Sequence, residues 1–77
     1  MTLAEKQRQL REEMQPQDSL VGTKVQVEIE GIMITGNFRQ TQTNGQANIY
    51  LDESYVNSKG KNTRWIKTSP GLVHIID

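Results

Sequence analysis

From Val25 to Phe38 the chain alternates apolar and polar residues with a period of two, and that pattern leaves little choice but a half-buried, twisted β-sheet. Val25, Val27 and Ile29 alternate with Gln26, Glu28 and Glu30. Gly31 then interrupts, and Ile34, Gly36 and Phe38 resume the same period. Successive side chains of a strand point to opposite faces, so each set of alternate residues marks one face. Gly36 falls inside the second of these strands, where a missing side chain is explained by a strong bend or by another backbone coming close. Curvature is the reading preferred here.

The second strand is expected over residues 32–40. Asn44-Gly45 then signals a hairpin turn, because both residue types tolerate positive φ. A third strand returns over residues 47–53, with Ala47, Ile49 and Leu51 facing the core if Asn48, Tyr50 and Asp52 face out. Residues 56–62, which include Ser58, Lys59, Gly60 and Lys61, read as a polar loop. A fourth strand follows over 63–68, then a tight connection at Pro70-Gly71, then a short apolar fifth strand over 72–76.

In front of the strands, Thr2 and Glu5 have capping-box spacing, which predicts a helix from about Leu3 to Met14, within residues 3–15. Leu3, Leu10 and Met14 form its apolar face, suited to a lid over one open end of the sheet. Arg8 and Glu12 form a neighbour pair on the charged remainder, and Pro16 ends the helix. The fold class is therefore mainly β with one N-terminal α-helix: a single domain over residues 1–77 in which five short antiparallel strands, residues 20–77, make a small, strongly bent open barrel.

A chain of 77 residues buries only about 60 to 65 percent of its unfolded surface. With one Trp, one Phe and two Tyr, the core must come from aliphatic residues, and a self-associating module fits better than a lone monomer. Formal charge is zero, which argues against a grip on duplex DNA through phosphates. The distribution is uneven, since Arg39, Lys59, Lys61, Arg64 and Lys67 outnumber Asp52, Glu53 and Asp77 in the second half. Gathered on one rim, these cations would hold a single strand; scattered, they are ordinary solvated side chains. There is no cysteine, hence no disulfide framework and no thiolate metal site. The apolar runs are too short to span a bilayer and the first residues lack the apolar core of a signal peptide, so a cytoplasmic protein without membrane association is expected.

Enzymatic chemistry has little support. His74, the one histidine, lies within an apolar run and reads as a structural or interface residue. Asp52 and Glu53 are adjacent, which on a strand separates them onto opposite faces. No cluster has metal-ligand spacing and no glycine loop precedes a helix, so neither catalytic residues, metal nor cofactor is expected. Trp65 reads as a core or protomer-interface residue in preference to a base-stacking one. Tyr50, opposite Ile49 and Leu51, has a possible stacking or pore-facing role, and Tyr55 reads as a loop anchor.

The run EIEGIMITGNF followed by ANIYLDESY, with Gly31, Ile34, Gly36, Phe38, Asn48 and Leu51 in matching places, resembles the first motif of the Sm and Sm-like (LSm) RNA-binding proteins. The tail SPGLVHII resembles a degraded second motif, in which Gly71 is kept and Pro70 stands where the family has arginine. The resemblance implies a cyclic homo-oligomeric ring closed by pairing of strand four with strand five of the neighbour. It also implies single-stranded, U-rich RNA as partner and a role as RNA chaperone or scaffold. Asn48 matches the family's base-reading asparagine, with Gln46 and Asn44 as loop partners and Arg39, Lys67 and Gly71 near phosphate. Lys6, Arg8 and Arg11 on the helix are secondary RNA contacts. The loop before Asn48 is two residues longer than the family pattern, and the orienting acidic residue is replaced by Gln42 or Asn44. The missing acid, the missing arginine and the zero net charge favour an alternative: a ring-forming structural module that binds protein partners and has lost RNA recognition. A monomeric barrel of the kind found in translation and chromatin proteins is a third class.

Overall fold

The computed structural model describes residues 1–76; Asp77, counted above among the acidic residues, lies outside them. Helix α1 spans Leu3–Glu12 and is followed by a short 3-10 turn, Gln17–Leu20. Strands β1 (Lys24–Ile29), β2 (Ile32–Thr41), β3 (Ala47–Val56), β4 (Asn62–Thr68) and β5 (Val73–Ile75) form one antiparallel open sheet in the order β4-β3-β2-β1-β5. The mainly β architecture with a single leading helix is thus the one the periodicity predicts.

At the start of α1 the capping box is complete. The Glu5 backbone N–H donates to Thr2 Oγ1 at 3.2 Å, and the Thr2 N–H donates to Glu5 Oε1 at 3.2 Å. The Thr2 backbone N–H and, next, its hydroxyl, both donated to the Glu5 carboxylate, hold Glu5 below its ordinary acid range. The helix stops earlier than predicted. The Gln15 N–H donates to Leu10 O and the Met14 N–H to Arg11 O, with Met14 in the left-handed region at φ 56°. This is the paired 6→1 and 5→2 closure of a Schellman motif. Its geometry, ahead of Pro16, ends the helix and turns Met14 out to solvent, 92% exposed. Leu3 and Leu10 remain as the buried face, joined by Gln7, whose amide donates to Thr41 Oγ1 at 3.1 Å.

Each hairpin has a turn its sequence explains. Glu30 and Gly31, at φ 50° and 81°, make the two-residue β1–β2 turn in which both central residues are left-handed. The β2–β3 connection is a three-residue loop: Gly45 N–H donates to Gln42 O, Gln42 N–H to Gln46 O, and only Gly45 takes positive φ. Asn57 to Lys61 repeats this pattern around Gly60. Strand β3 therefore runs through Val56, three residues beyond the predicted end at Glu53, and places Tyr55 in the strand. Strand β5 is shorter than predicted, because Pro70–Leu72 forms a second 3-10 turn.

The core lies between one face of the sheet and α1. Leu3, Val25, Val27, Ile49, Leu51 and Val73 are almost fully buried, with Leu10, Leu20, Phe38 and Ala47 around them. Each large aliphatic side chain buried in this way contributes about 1.5 to 3 kcal/mol. Gly36 is buried opposite Leu51, and a Cβ there would stand 2.6 Å from the Tyr50 carbonyl oxygen and 3.1 Å from Leu51 Cα. Close backbone approach accounts for this glycine, where curvature was the sequence reading.

Beyond the Gly36–Leu51 pair, β2 and β3 stop pairing, although β2 continues against β1 and β3 is paired again with β4 at Tyr55. A cleft of about 420 Å³ opens there between Ile32–Thr35 on one side and Asp52–Tyr55 on the other. Its end is tied by the Tyr55 hydroxyl, which donates to Glu30 Oε2 at 2.7 Å, so Tyr55 anchors the β1–β2 turn to β3.

One edge of the sheet is β4. The other, β5, carries the first residues of the chain: Thr2 bridges His74, and the Ile75 N–H donates to Met1 O at 2.9 Å.

Candidate nucleic-acid interface

Alternation in β3 buries Ala47, Ile49 and Leu51 and sends Asn48, Tyr50 and Asp52 to the face opposite the helix. Register extends that outer face across the sheet. Tyr50 stands between Asn37 of β2 and Trp65 of β4, and Asn48 stands between Gln40 and Lys67. Pairing jumps from Phe38 to Gln40, so Arg39 is the extra residue of a β-bulge, beside the position Asn48 faces. Bulges re-aim side chains in this way. Arg39, Tyr50 and Trp65 together line a cleft of about 200 Å³.

Trp65 is not a core residue. It is 49% exposed, because β4 alternates Ile66 inward and Trp65 outward beside Tyr50. The two rings are 4.7 Å apart between centroids and inclined at 59°, within the range of favourable edge-inclined aromatic pairs. The Arg64 guanidinium carbon lies 5.1 Å from the Tyr50 centroid. Arg64 also donates to the carbonyl oxygens of Leu51 and Asp52, which pins it along β3.

The charges on this face are not equivalent. Asp52 is engaged by Lys24 Nζ at 2.5 Å and by the Asn37 amide at 3.3 Å. Arg39 and Lys67 make no ion pair among the described residues. Asn48 Oδ1 is buried and has no hydrogen-bond partner among them. A buried acceptor left unmatched costs about 1 to 3 kcal/mol, a cost the rest of the fold offsets.

The structure brings together Arg39, Asn48 and Lys67 of the sequence-predicted set. Asn44 and Gln46 lie in the adjoining turn, where they bind each other: the Asn44 amide donates to Gln46 Oε1 at 3.2 Å and the Gln46 N–H to Asn44 Oδ1 at 3.1 Å. Asn44 thus holds the turn. Gly71 sits in the 3-10 turn after β4, and because Thr41, Ala47 and Thr68 are in register, that turn and the Gln42–Gln46 loop mark the same end of the sheet. Lys6, Arg8 and Arg11 are not part of the group. They belong to α1, whose buried residues pack on the core face, so the sheet separates them from Asn48.

Sequence reasoning named Tyr50 as a stacking or pore-facing residue and Arg64 among the cations, but did not pair the two. They sit on neighbouring strands, but alternation pairs Tyr50 with Trp65, and Arg64 reaches the Tyr50 ring only where the β3–β4 register shifts beyond that pair, which the sequence pattern does not show. The cleft of about 420 Å³ beside Ile32 and Met33 presents Asp52 and Glu53 and suits no anion. Among the described residues there is no group of three His, Asp or Glu that could hold a metal and no helix long and apolar enough to cross a membrane. No family model, curated protein or solved structure matches the chain.

Proposed function

We propose that this chain is an Sm-like protein: a small, strongly bent open barrel that assembles head to tail into a homomeric ring and binds single-stranded, U-rich RNA as a chaperone or scaffold. The observation that carries the reading is the meeting of Arg39, Asn48 and Lys67 on one sheet face, where neither cation has a counter-ion among the described residues. An amide is the side-chain type that reads a base edge, and a phosphate backbone satisfies both cations. The motif resemblance around Gly36, Asn48 and Leu51 points the same way. Gly71 and the Asn44–Gln46 turn frame the end of the site.

Ring closure in this reading pairs the outer edge of β4 with the outer edge of β5 in the next protomer. In the isolated chain Met1 and Thr2 lie along β5, so assembly displaces them.

The test is binding of fluorescent oligouridine, beside oligoadenine, to protein whose assembled mass is fixed by light scattering in the same buffer. Salt-sensitive binding at micromolar or tighter affinity by an oligomer is expected. Asn48→Ala is expected to weaken it by about 1 to 3 kcal/mol with the fold intact. An intact ring that binds neither oligomer moves the function to the second reading, a ring that binds protein, which the zero net charge and Pro70 in place of the family's arginine favour.

A further inference from the structure

We infer that the cleft between Arg39, Tyr50 and Trp65 is a stacking subsite for one base of a single-stranded nucleic acid, with the adjoining phosphate held by Arg39 and Lys67. The inference rests on the nucleic-acid reading above and adds to it a site on the sheet face, formed by residues outside the Asn48 amide and its turn.

A tryptophan is the largest apolar side chain available, and this chain uses its one tryptophan half exposed on the polar side of the sheet. Its ring is held in place nonetheless. Tyr50 packs against it at 4.7 Å, and Tyr50 is itself fixed by Arg64, whose guanidinium is anchored to two β3 carbonyls. A rigid, half-bare indole loses little side-chain entropy when a planar group stacks on it. Stacking on such a ring is tolerant of base identity, because every base has a π-face.

Size and charge select the occupant. A volume of about 200 Å³ is below the range of pockets that enclose whole drug-sized ligands and suits a single planar ring system. Arg39 lines the cleft and Lys67 projects from the same face beside Asn48, both without an acidic partner among the described residues. The nearby carboxylate, Asp52, is already neutralised by Lys24. A base with a flanking phosphate satisfies both the ring and the cations.

Because Trp65 is the only tryptophan, its emission reports the subsite directly. The full chain is titrated with oligouridine and, separately, with inorganic polyphosphate, which has the charge without the bases. Oligouridine is expected to quench Trp65 emission and polyphosphate to leave it unchanged. In anisotropy titrations with labelled oligouridine, Trp65→Ala is expected to weaken binding about tenfold, and Trp65→Phe, which keeps a stacking ring, to restore most of it. Oligouridine binding with unchanged emission and wild-type affinity in both variants overturns the subsite and leaves the proposed function standing. No binding by the wild-type chain overturns both. A loss of assembled mass in Trp65→Phe as well as Trp65→Ala, measured by light scattering, assigns the ring to a seam between copies and overturns the subsite.

Discussion

A methyl group at Gly36 has nowhere to go. The added carbon would meet the Tyr50 carbonyl oxygen at 2.6 Å, Ile49 Cγ2 at 3.0 Å and Leu51 Cα at 3.1 Å, and two of these three atoms are backbone that moves only if β2 and β3 separate. Gly36→Ala is therefore expected to destabilise the fold by about 1 to 3 kcal/mol, with a fall in Tm of about 4 to 8 °C for each kcal/mol. A thermal melt followed by circular dichroism checks this; an unchanged midpoint removes the close-approach account. The alternation around Gly36 is enough to mark it as special, yet it does not say whether bend or contact is the cause, since that depends on which strand lies opposite. Trp65 shows the same limit. Its position in β4 was legible, but its exposure follows from β4 being an edge strand whose outer face nothing covers.

At the scale of elements, the tie between the β1–β2 turn and β3 makes a pH-dependent contact. The Tyr55 hydroxyl and the Ser58 N–H donate to the Glu30 carboxylate, and they hold it below its usual value of 4.5. The unfolded Glu30 then binds a proton more readily than the folded one, so this contribution is complete above 4.5 and is lost as pH falls through the lower folded value. The bond to Glu30 pushes Tyr55 above 10.0, so its share is complete below 10.0 and disappears as pH rises through the folded value. Tyr55→Phe is expected to lower Tm slightly between these limits and to converge with the wild type at both ends; parallel melting curves across the whole range would show that the contact is not made in solution. The strand pattern predicted β3 but not its length. Glu53 and Ser54 break the apolar alternation, and what carries the strand past them is the three-residue turn at Gly60 and pairing with β4. Likewise the helix end was set by backbone closure around Met14, to which the Pro16 signal is blind.

For the whole molecule, a net charge of zero conceals a separation. Arg39 and Lys67 stand on the outer sheet face, while Lys6, Arg8 and Arg11 ride on the helix at the core face. Composition could not assign either group to a side; only strand order does that. Strand order also leaves β4 as an edge, and bare edges recruit other strands. The β5 edge is in a different condition, because the chain's own first residues lie along it. Removing Met1 while keeping Thr2 and its cap deletes the acceptor for the Ile75 N–H. One lost backbone hydrogen bond is worth about 1 kcal/mol, and if assembly uses that edge, half-assembly by light scattering is expected at about fivefold lower protein concentration. An unchanged concentration profile would mean that copies meet elsewhere. Met1 and Thr2 are thus an intramolecular competitor, present at the high effective concentration of any tethered group. In the proposed ring, then, a solitary chain seals itself, and crowding by its own kind reopens the seam.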